Sequence, residues 1–514
     1  MCTKYFSSPA VINTVHYFYI PALYMKNRIV FIAVIVMIGI AWMSGTACRK
    51  QKALTAGGTL RFSVDTLAFD TVFTAAGSFT TGLLIYNPQN EAVELSSVRL
   101  QGGAASYFHL NVNGYQGNSV GNIKIAAHDS IYVFATVTID PQNPRTPFLV
   151  TDSLVATLNG QNFYVPFTAY GQNARYITDG VIRGSVTWDT TLPYVILHRN
   201  GDTTNVGIII APGATLTLNP GCRIYMHQNA AVAVLGTLIS NGTKKDSVIF
   251  QGDRLDRAYF GYEGYPGEWS GINFATGSSG SKLTFTILAN CGNGAFGVFS
   301  GQTAAIWLDS MGGTTPQVTL DRCTIKNSIG YGIYSRQGNV VASNCLVVGT
   351  ASYALAMLQG GKGVFTNCTF ANYGGTGLNH GSAGTAAILN YYSADGVHYS
   401  YGNLDATMSN CIVYGSLDSE IVCDAAPNAS ASLNMDHCLL KMGNVRESFV
   451  HFTGCIFNKD PLFSNTAKWD YHLTAGSPAI DSGNSAAKGI GDFDLDNNTR
   501  IIGVAVDIGC YEYH

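Results

Sequence analysis

The chain has 514 residues, so more than one domain is expected. Charged residues make up 12% of it, against roughly 25% in ordinary soluble domains, while there are 57 glycines and 28 tyrosines, a balance that fits a secreted β-rich protein. The net charge is −3, and no Lys/Arg cluster stands outside an N-terminal apolar segment and the few residues after it, which excludes an electrostatic footprint for nucleic acid.

Residues 1–24 read as neither a signal nor a domain, as if the start had been assigned too far upstream. Residues 25–48 follow the order of an export signal. Met25-Lys26-Asn27-Arg28 is a basic stretch, and Ile29 to Met43 is apolar but too short for a membrane span. Ser44-Gly45-Thr46-Ala47-Cys48 then places small residues before a cysteine. This resembles a bacterial lipoprotein signal. The resemblance implies lipidation at Cys48 and a membrane partner through that anchor. It also implies an outer-membrane lipoprotein on the cell surface or the periplasmic face. Gly45 departs from the larger apolar residue usual there, which leaves ordinary cleavage or retention as an anchor open. Residues 49–57 are a polar tether.

Residues 58–173 read as short strands separated by turn signals. Leu83-Leu84-Ile85-Tyr86 runs into Asn87-Pro88, and Ser130 to Ile139 runs into Asp140-Pro141. Regular strands over this length predict an immunoglobulin-like β-sandwich without the Cys-Trp-Cys core of antibody domains. In Asp65 to Phe73 the stretch resembles Ig-like modules of Bacteroidetes envelope proteins. A spacer with no site of its own is the expected role.

Residues 174–457 carry a repeat. Cys323, Cys345, Cys368, Cys411, Cys438 and Cys455 recur in one local frame. Apolar Leu320, Ala342, Phe365, Met408, Met435 and Phe452 stand three residues before them. Ile325, Val347, Phe370, Val413, Leu440 and Phe457 stand two after. This is an alternation broken by one turn, so two short strands meet at a corner with the cysteine facing in. The first two spacings, 22 and 23 residues, match one turn of a parallel β-solenoid. Asn344, Asn367 and Asn410 just before the cysteine suit a left-handed backbone and a stacked amide. Thr286 takes the cysteine slot one coil earlier. Buried free thiols are expected rather than disulfides. Two interruptions, residues 289–317 and 371–405, are long enough to hide an extra coil each. The entry strands, among them Val206 to Gly213 and Trp269 to Phe274, resemble those of right-handed parallel β-helix proteins.

Residues 458–514 form an expected cap. Asp460-Pro-Leu-Phe463, Leu473 to Gly483 and Val506 to Tyr513 resemble the C-terminal region of β-helix proteins with a choice-of-anchor Q domain. With the repeats, the resemblance covers about residues 175–514 and speaks to fold, not to one reaction. The fold class expected is therefore all-β, a right-handed parallel β-helix preceded by the sandwich.

Sites are fainter. A polysaccharide lyase needs a strong base, and a glycoside hydrolase needs carboxylates about 5–9.5 Å apart. The repeats offer Asp321 and Arg322 as weak catalytic candidates, best read as a solvated pair. Asp492, Asp494 and Asp496 resemble the start of a Ca2+ loop, but Gly503 replaces the closing glutamate, so a polar turn is expected ahead of a calcium site. No other cofactor is expected. Aromatic loops are the stronger signal. Tyr262, Tyr265 and Trp269 lie in one, and Tyr392, His398 and Tyr399 in the other. Exposed aromatic faces stack on sugar rings. The sequence thus favours an envelope protein that binds a polysaccharide or another polymer. A lyase or hydrolase, or a purely structural or adhesive protein, stand as alternatives.

Overall fold

The computed structural model describes residues 53–74, 77–140, 148–198, 206–255, 264–294, 303–310, 313–374, 378–443, 447–487 and 492–514. Cys48 and Tyr262 lie outside these residues.

The N-terminal part is a two-sheet sandwich. One sheet orders Arg61–Phe62, Thr81–Tyr86, Ser130–Val137, Phe108–Val112 and Tyr115–Gln116. The other orders Leu67–Phe73, Gln161–Gln172, Phe148–Leu158, Val93–Leu100 and Ser119–Val120, with Ile123–Ile125 also on Val93–Leu100. Strand alternation sends Leu83, Ile85, Ile131, Val133, Leu154 and Phe167 into a shared core. Gln161–Gln172 then leads directly into the solenoid. At the junction Phe73 packs edge-on against Tyr225, with centroids 4.7 Å apart, and the Tyr176 hydroxyl donates to the Thr74 carbonyl.

From Arg175 onward each strand pairs in parallel with the strand one coil later. The coils wind right-handed, the hand that parallel crossovers take. Among the described residues they build three sheets. The first has eleven strands, from Arg175–Thr178 to Ile456–Phe457; the second has nine, from Gly180–Ile182 to Ile421–Asp424; the third has ten, from Ser185–Trp188 to Val450–Thr453. Each coil visits them in that order.

The cysteine frame lies where the third sheet turns into the first. One residue in the left-handed region makes each corner: Arg322, Asn344, Asn367 and Asn410 have φ of 52°, 56°, 53° and 53°. Asparagine enters this region more readily than most residues, which explains its recurrence. The register pairs Thr324, Leu346, Thr369, Ile412, Leu439 and Ile456 in succession, so the six cysteines form one column, with Thr286 above Cys323. The ten described cysteines are free thiols. Burial pushes the Cys345 and Cys411 thiols well up, and the column packs with the apolar core of the solenoid. The flanking apolar residues are core, except in the last coil. There Phe457 is 42% exposed, because no described coil stacks on it.

Among the described residues neither interruption holds an extra coil. Ala304–Asp309 and Ala386–Leu389 are the second-sheet strands of the coils already counted, paired with Tyr331–Arg336 and Ile421–Asp424.

Residues 458–514 do not simply sit on the end; they fold back along the outside of the first sheet. Tyr471, Leu495 and Cys510 pack on Leu346, Val348 and Ala371, and Leu473, Ala479 and Ile508 pack on Ile412, Tyr414 and Leu439. Arg500 reaches the asparagine column, where Nε and Nη2 donate to Asn344 Oδ1 at 3.2 and 2.7 Å. Its Nη1 donates to Glu512 Oε1 at 2.7 Å. Burial pushes Glu512 up to about 7, against the pull of Arg500.

Candidate functional site

The three outer faces of the solenoid differ. On the third sheet, Gln317, Thr319, Asn339, Val341, Lys362 and Asp405 point outward and reach solvent in whole or in part. The first sheet is covered by the C-terminal segment. On the second sheet, strands such as Gly271–Phe274 and Ala304–Asp309 are buried on both faces. Ile272, Phe274, Ile306, Leu308 and Ile333 fill the core. The register then sets Asn273, Trp307, Tyr334 and Ala356 in one outward column.

That column holds polar atoms without partners. Asn273, Trp307 and Tyr334 are 6%, 9% and 1% exposed. Among the described residues Asn273 Oδ1 and Trp307 Nε1 make no hydrogen bond, and the Tyr334 hydroxyl makes none of good geometry although the Tyr392 side chain interacts with it. A buried unsatisfied group costs about 1–3 kcal/mol, so native folds keep few of them. Unpaired atoms of Thr81, Asp152, Ser278 and Ser335 are scattered elsewhere, and the amides of Asn344 and Asn367 belong to the asparagine column. Here three occupy successive strands of one face. Burial pushes the Tyr334 phenol well above its usual range, so it stays a neutral donor.

The next outward positions are charged. Arg336 grips Asp309 with two bonds, Nη2 to Oδ2 at 2.6 Å and Nε to Oδ1 at 3.1 Å. Its guanidinium also lies 5.0 Å from the centre of the Tyr392 ring. Tyr331 meets Tyr334 edge-on at 5.0 Å and stacks with Tyr353 at 6.2 Å. Tyr392 belongs to a small hairpin, Tyr391–Tyr392 with Ser400–Tyr401, which leaves the second sheet directly after Ala386–Leu389. The Tyr391 hydroxyl donates to Asp424 Oδ2 at 2.6 Å, and that carboxylate, together with burial, raises the phenol to about 12. His398 Nδ1 lies 2.6 Å from Asp395 Oδ2 and holds that carboxylate well below its usual range, helped by the backbone N–H groups of His398 and Val397. The His398 side chain is 87% exposed, and Tyr399 is 48% exposed.

The hairpin thus gathers Tyr392, His398 and Tyr399 beside the outward column. Tyr265 lies in the other aromatic loop, half-buried, with Arg254 5.4 Å from its ring centre. Trp269 is not a surface ring. It is 0% exposed, stacks near Phe250 at 6.2 Å, and donates from Nε1 to the Ala289 carbonyl at 2.9 Å. It precedes the strand Gly271–Phe274 and fills the core beneath it, which removes it from any ligand surface. Asp321 and Arg322 sit at a corner under the C-terminal segment: Arg322 pairs with Asp321 at 2.7 Å, lies 4.6 Å from the Phe285 ring centre, and donates to Asn497 Oδ1 at 3.2 Å. Asp494 accepts from the N–H groups of Asn498 and Glu512 at 2.6 and 3.0 Å. Asp496 is bound by Lys244 and by His472 Nε2, and Asp492 accepts from the Arg500 N–H through its carbonyl. Among the described residues no cluster of His, Cys, Asp and Glu is arranged to hold a metal ion.

Trp307, Asp309, Tyr334 and Arg336 were not singled out by the sequence. Their signal was the loss of alternation in AAIWLD and YGIYSR, which marks strands buried on both faces.

A family described as the right-handed beta helix region matches residues 304–468. No curated protein matches. Among solved structures, a family 123 glycoside hydrolase from Clostridium perfringens is 11% identical, with 26% of this chain and 31% of that one covered and a TM-score of 0.18. A SafA pilin with the SafB chaperone from Salmonella enterica is 13% identical, with 24% and 57% covered and a TM-score of 0.16. A PapD-like domain of human CEP192 is 10% identical, with 24% and 92% covered and a TM-score of 0.16. The chain spans about a third and just over half of the first two. At these scores none of the three bears on fold or function.

Proposed function

We propose that the outer face of the second sheet, with its hairpin, binds a glycan or a similar hydroxyl-rich polymer of the cell envelope. The observation that carries this is the column of Asn273, Trp307 and Tyr334: among the described residues the first two have no hydrogen-bond partner, and the third has only an imperfect contact with Tyr392. A sugar supplies both things the column lacks: hydroxyls for the unpaired donors and acceptor, and an apolar C–H face for the rings. A lipid on Cys48 would hold this face at a membrane.

The β-helix fold supports a carbohydrate-related role by analogy alone. For a hydrolase, the outward acids Asp309 and Asp424 stand four strands apart, about 19 Å at ~4.8 Å per strand. That is well beyond the roughly 5–9.5 Å that paired carboxylates need. Asp309 and Asp424 therefore do not form a hydrolytic pair, and the outward column supports binding at this face.

The test is calorimetric titration of the full chain with a panel of neutral and uronate polysaccharides, repeated with Trp307→Phe. That variant keeps a ring and removes the Nε1 donor. Affinity for the bound polysaccharide is expected to fall about tenfold, the equivalent of one hydrogen bond of ~1.4 kcal/mol. Unchanged affinity, or a parent that binds nothing in the panel, rejects the reading.

A further inference from the structure

We propose that the sandwich carries a second, separate site: a platform for an extended, uncharged glycan on the outer face of its five-stranded sheet. It is independent of the solenoid face.

The platform starts from strand alternation. In Ser130–Val137 the core takes Ile131, Val133, Ala135 and Val137, which turns Tyr132 and Phe134 outward. These two are 58% and 42% exposed. Their ring centroids are 5.8 Å apart and their planes differ by 4°, so the two rings stack in parallel along the strand and leave apolar ring surface exposed. Across the strand pair from Phe134 stands Gly82. A Cβ there would come 3.0 Å from the Phe134 ring, so the glycine lets the ring lie down on the sheet instead of standing off it.

A ring packed over a glycine also strengthens strand pairing, and that alone would account for Phe134. It does not account for Tyr132, nor for what lies on the other side. There a groove of about 640 Å³ is lined by Thr80, His109, Asn111, Gln116, Asn118 and Thr136 together with Phe134. No Asp, Glu, Lys or Arg lines it. Asn111 Oδ1 accepts from the Gly114 N–H and the Asn118 amide donates to the Gly103 carbonyl, leaving the Asn111 NH2 and the Asn118 oxygen available. Among the described residues, the side chains of His109, Gln116 and Thr136 have no partner. Tyr164 and Tyr170 are comparably exposed on the opposite sheet, at 54% and 49%, yet neither stacks on another ring among the described residues. Among the described residues, the Tyr132–Phe134 surface combines an exposed pair of stacked rings with a row of neutral donors and acceptors.

That combination selects the ligand. An exposed ring face takes the C–H face of a pyranose, and amides and hydroxyls take its equatorial oxygens. With no cation in the groove, a uronate carboxylate would find no partner, so a neutral chain fits better than an acidic one. The two rings follow one strand and the site is open at the side, so the interior of a long chain can bind, not only its end.

The experiment is affinity electrophoresis of the full chain in gels containing xylan, xyloglucan, mixed-linkage β-glucan or polygalacturonate. It compares the parent, Tyr132→Ala with Phe134→Ala, Gln116→Ala, and Trp307→Phe, with melting followed for each. The parent is expected to be retarded by at least one neutral polysaccharide more than by polygalacturonate. The double variant should lose at least tenfold of that affinity and Gln116→Ala a smaller part, with melting held within a few degrees. Retardation that survives the double variant but falls with Trp307→Phe assigns binding to the solenoid alone and overturns the platform. Retention of parental affinity by all variants, or no retardation of the parent, also overturns it. So does a double variant that changes only the oligomeric state, which would make the patch a contact between copies.

Discussion

The second and third sheets of the solenoid share one core and differ on the outside. Facing the core, Ile306 and Ile333 of the second sheet do the same work as Val318 and Leu320 of the third. Outside, the third sheet is plainly solvated, with Gln317, Asn339, Lys362 and Asp405. The second buries Asn273, Trp307, Tyr334 and Ala356 and leaves polar atoms unpaired. A solvated face needs only alternation. A face that gives up alternation and keeps unsatisfied polar atoms is less stable than it could be, and the proposed ligand would supply what those atoms lack.

The largest effect should come from placing one charge on each face. Ala356→Asp puts a carboxylate where the side chain is 0% exposed, with no partner, and should cost about 3 kcal/mol or more. Thr319→Asp, outward on the third sheet and half-exposed, should change stability by no more than about 0.5 kcal/mol. The solenoid melting transition reads both. Equal losses would erase the distinction between the faces.

The first sheet sharpens the contrast, because its outside is covered by the chain itself. Glu512, buried beside Arg500, has its folded pKa raised to about 7, above the unfolded value of roughly 4.3. The folded state therefore holds that proton more tightly. The stability it contributes is full below about pH 4.3 and is lost as pH rises through about 7. Glu512→Gln keeps the shape and removes the proton, so the slope of melting temperature between pH 4.5 and 7 should flatten. A slope identical to the parent's would mean that the C-terminal segment is not held by this group.

How much of this the sequence shows depends on the same contrast. The cysteine frame was readable because Leu320, Ala342 and Phe365 alternate with solvated neighbours on the third sheet, and because an asparagine marks three of the corners, at Asn344, Asn367 and Asn410. Strands Ala304–Asp309 and Ala386–Leu389 were invisible as strands, since residues buried on both sides show no period. They were absorbed into apparent interruptions, and Trp307 and Asp309 with them. Trp269 was read as a loop aromatic as well as a strand start; its ring went to the core with the strand. The hairpin of Tyr392 and Tyr399 was legible as an aromatic insertion, but its neighbour Arg336 was not, because the register that joins them spans more than fifty residues. The fold-back of residues 458–514 left no trace either, for an apolar pattern does not say which surface it will cover.

The smallest change makes the most direct test. Tyr334→Phe deletes one hydroxyl of a residue that is 1% exposed, a hydroxyl with Tyr392 beside it but no well-formed hydrogen bond among the described residues. If that hydroxyl is kept for a ligand, the free protein should become more stable by about 1 kcal/mol, since an unpaired buried donor is gone, while affinity for the bound polysaccharide falls about tenfold. Paired melting and titration of parent and variant give both numbers at once. A variant that is less stable than the parent, with affinity unchanged, would show the hydroxyl to be structural and would contradict the assignment of this face to binding.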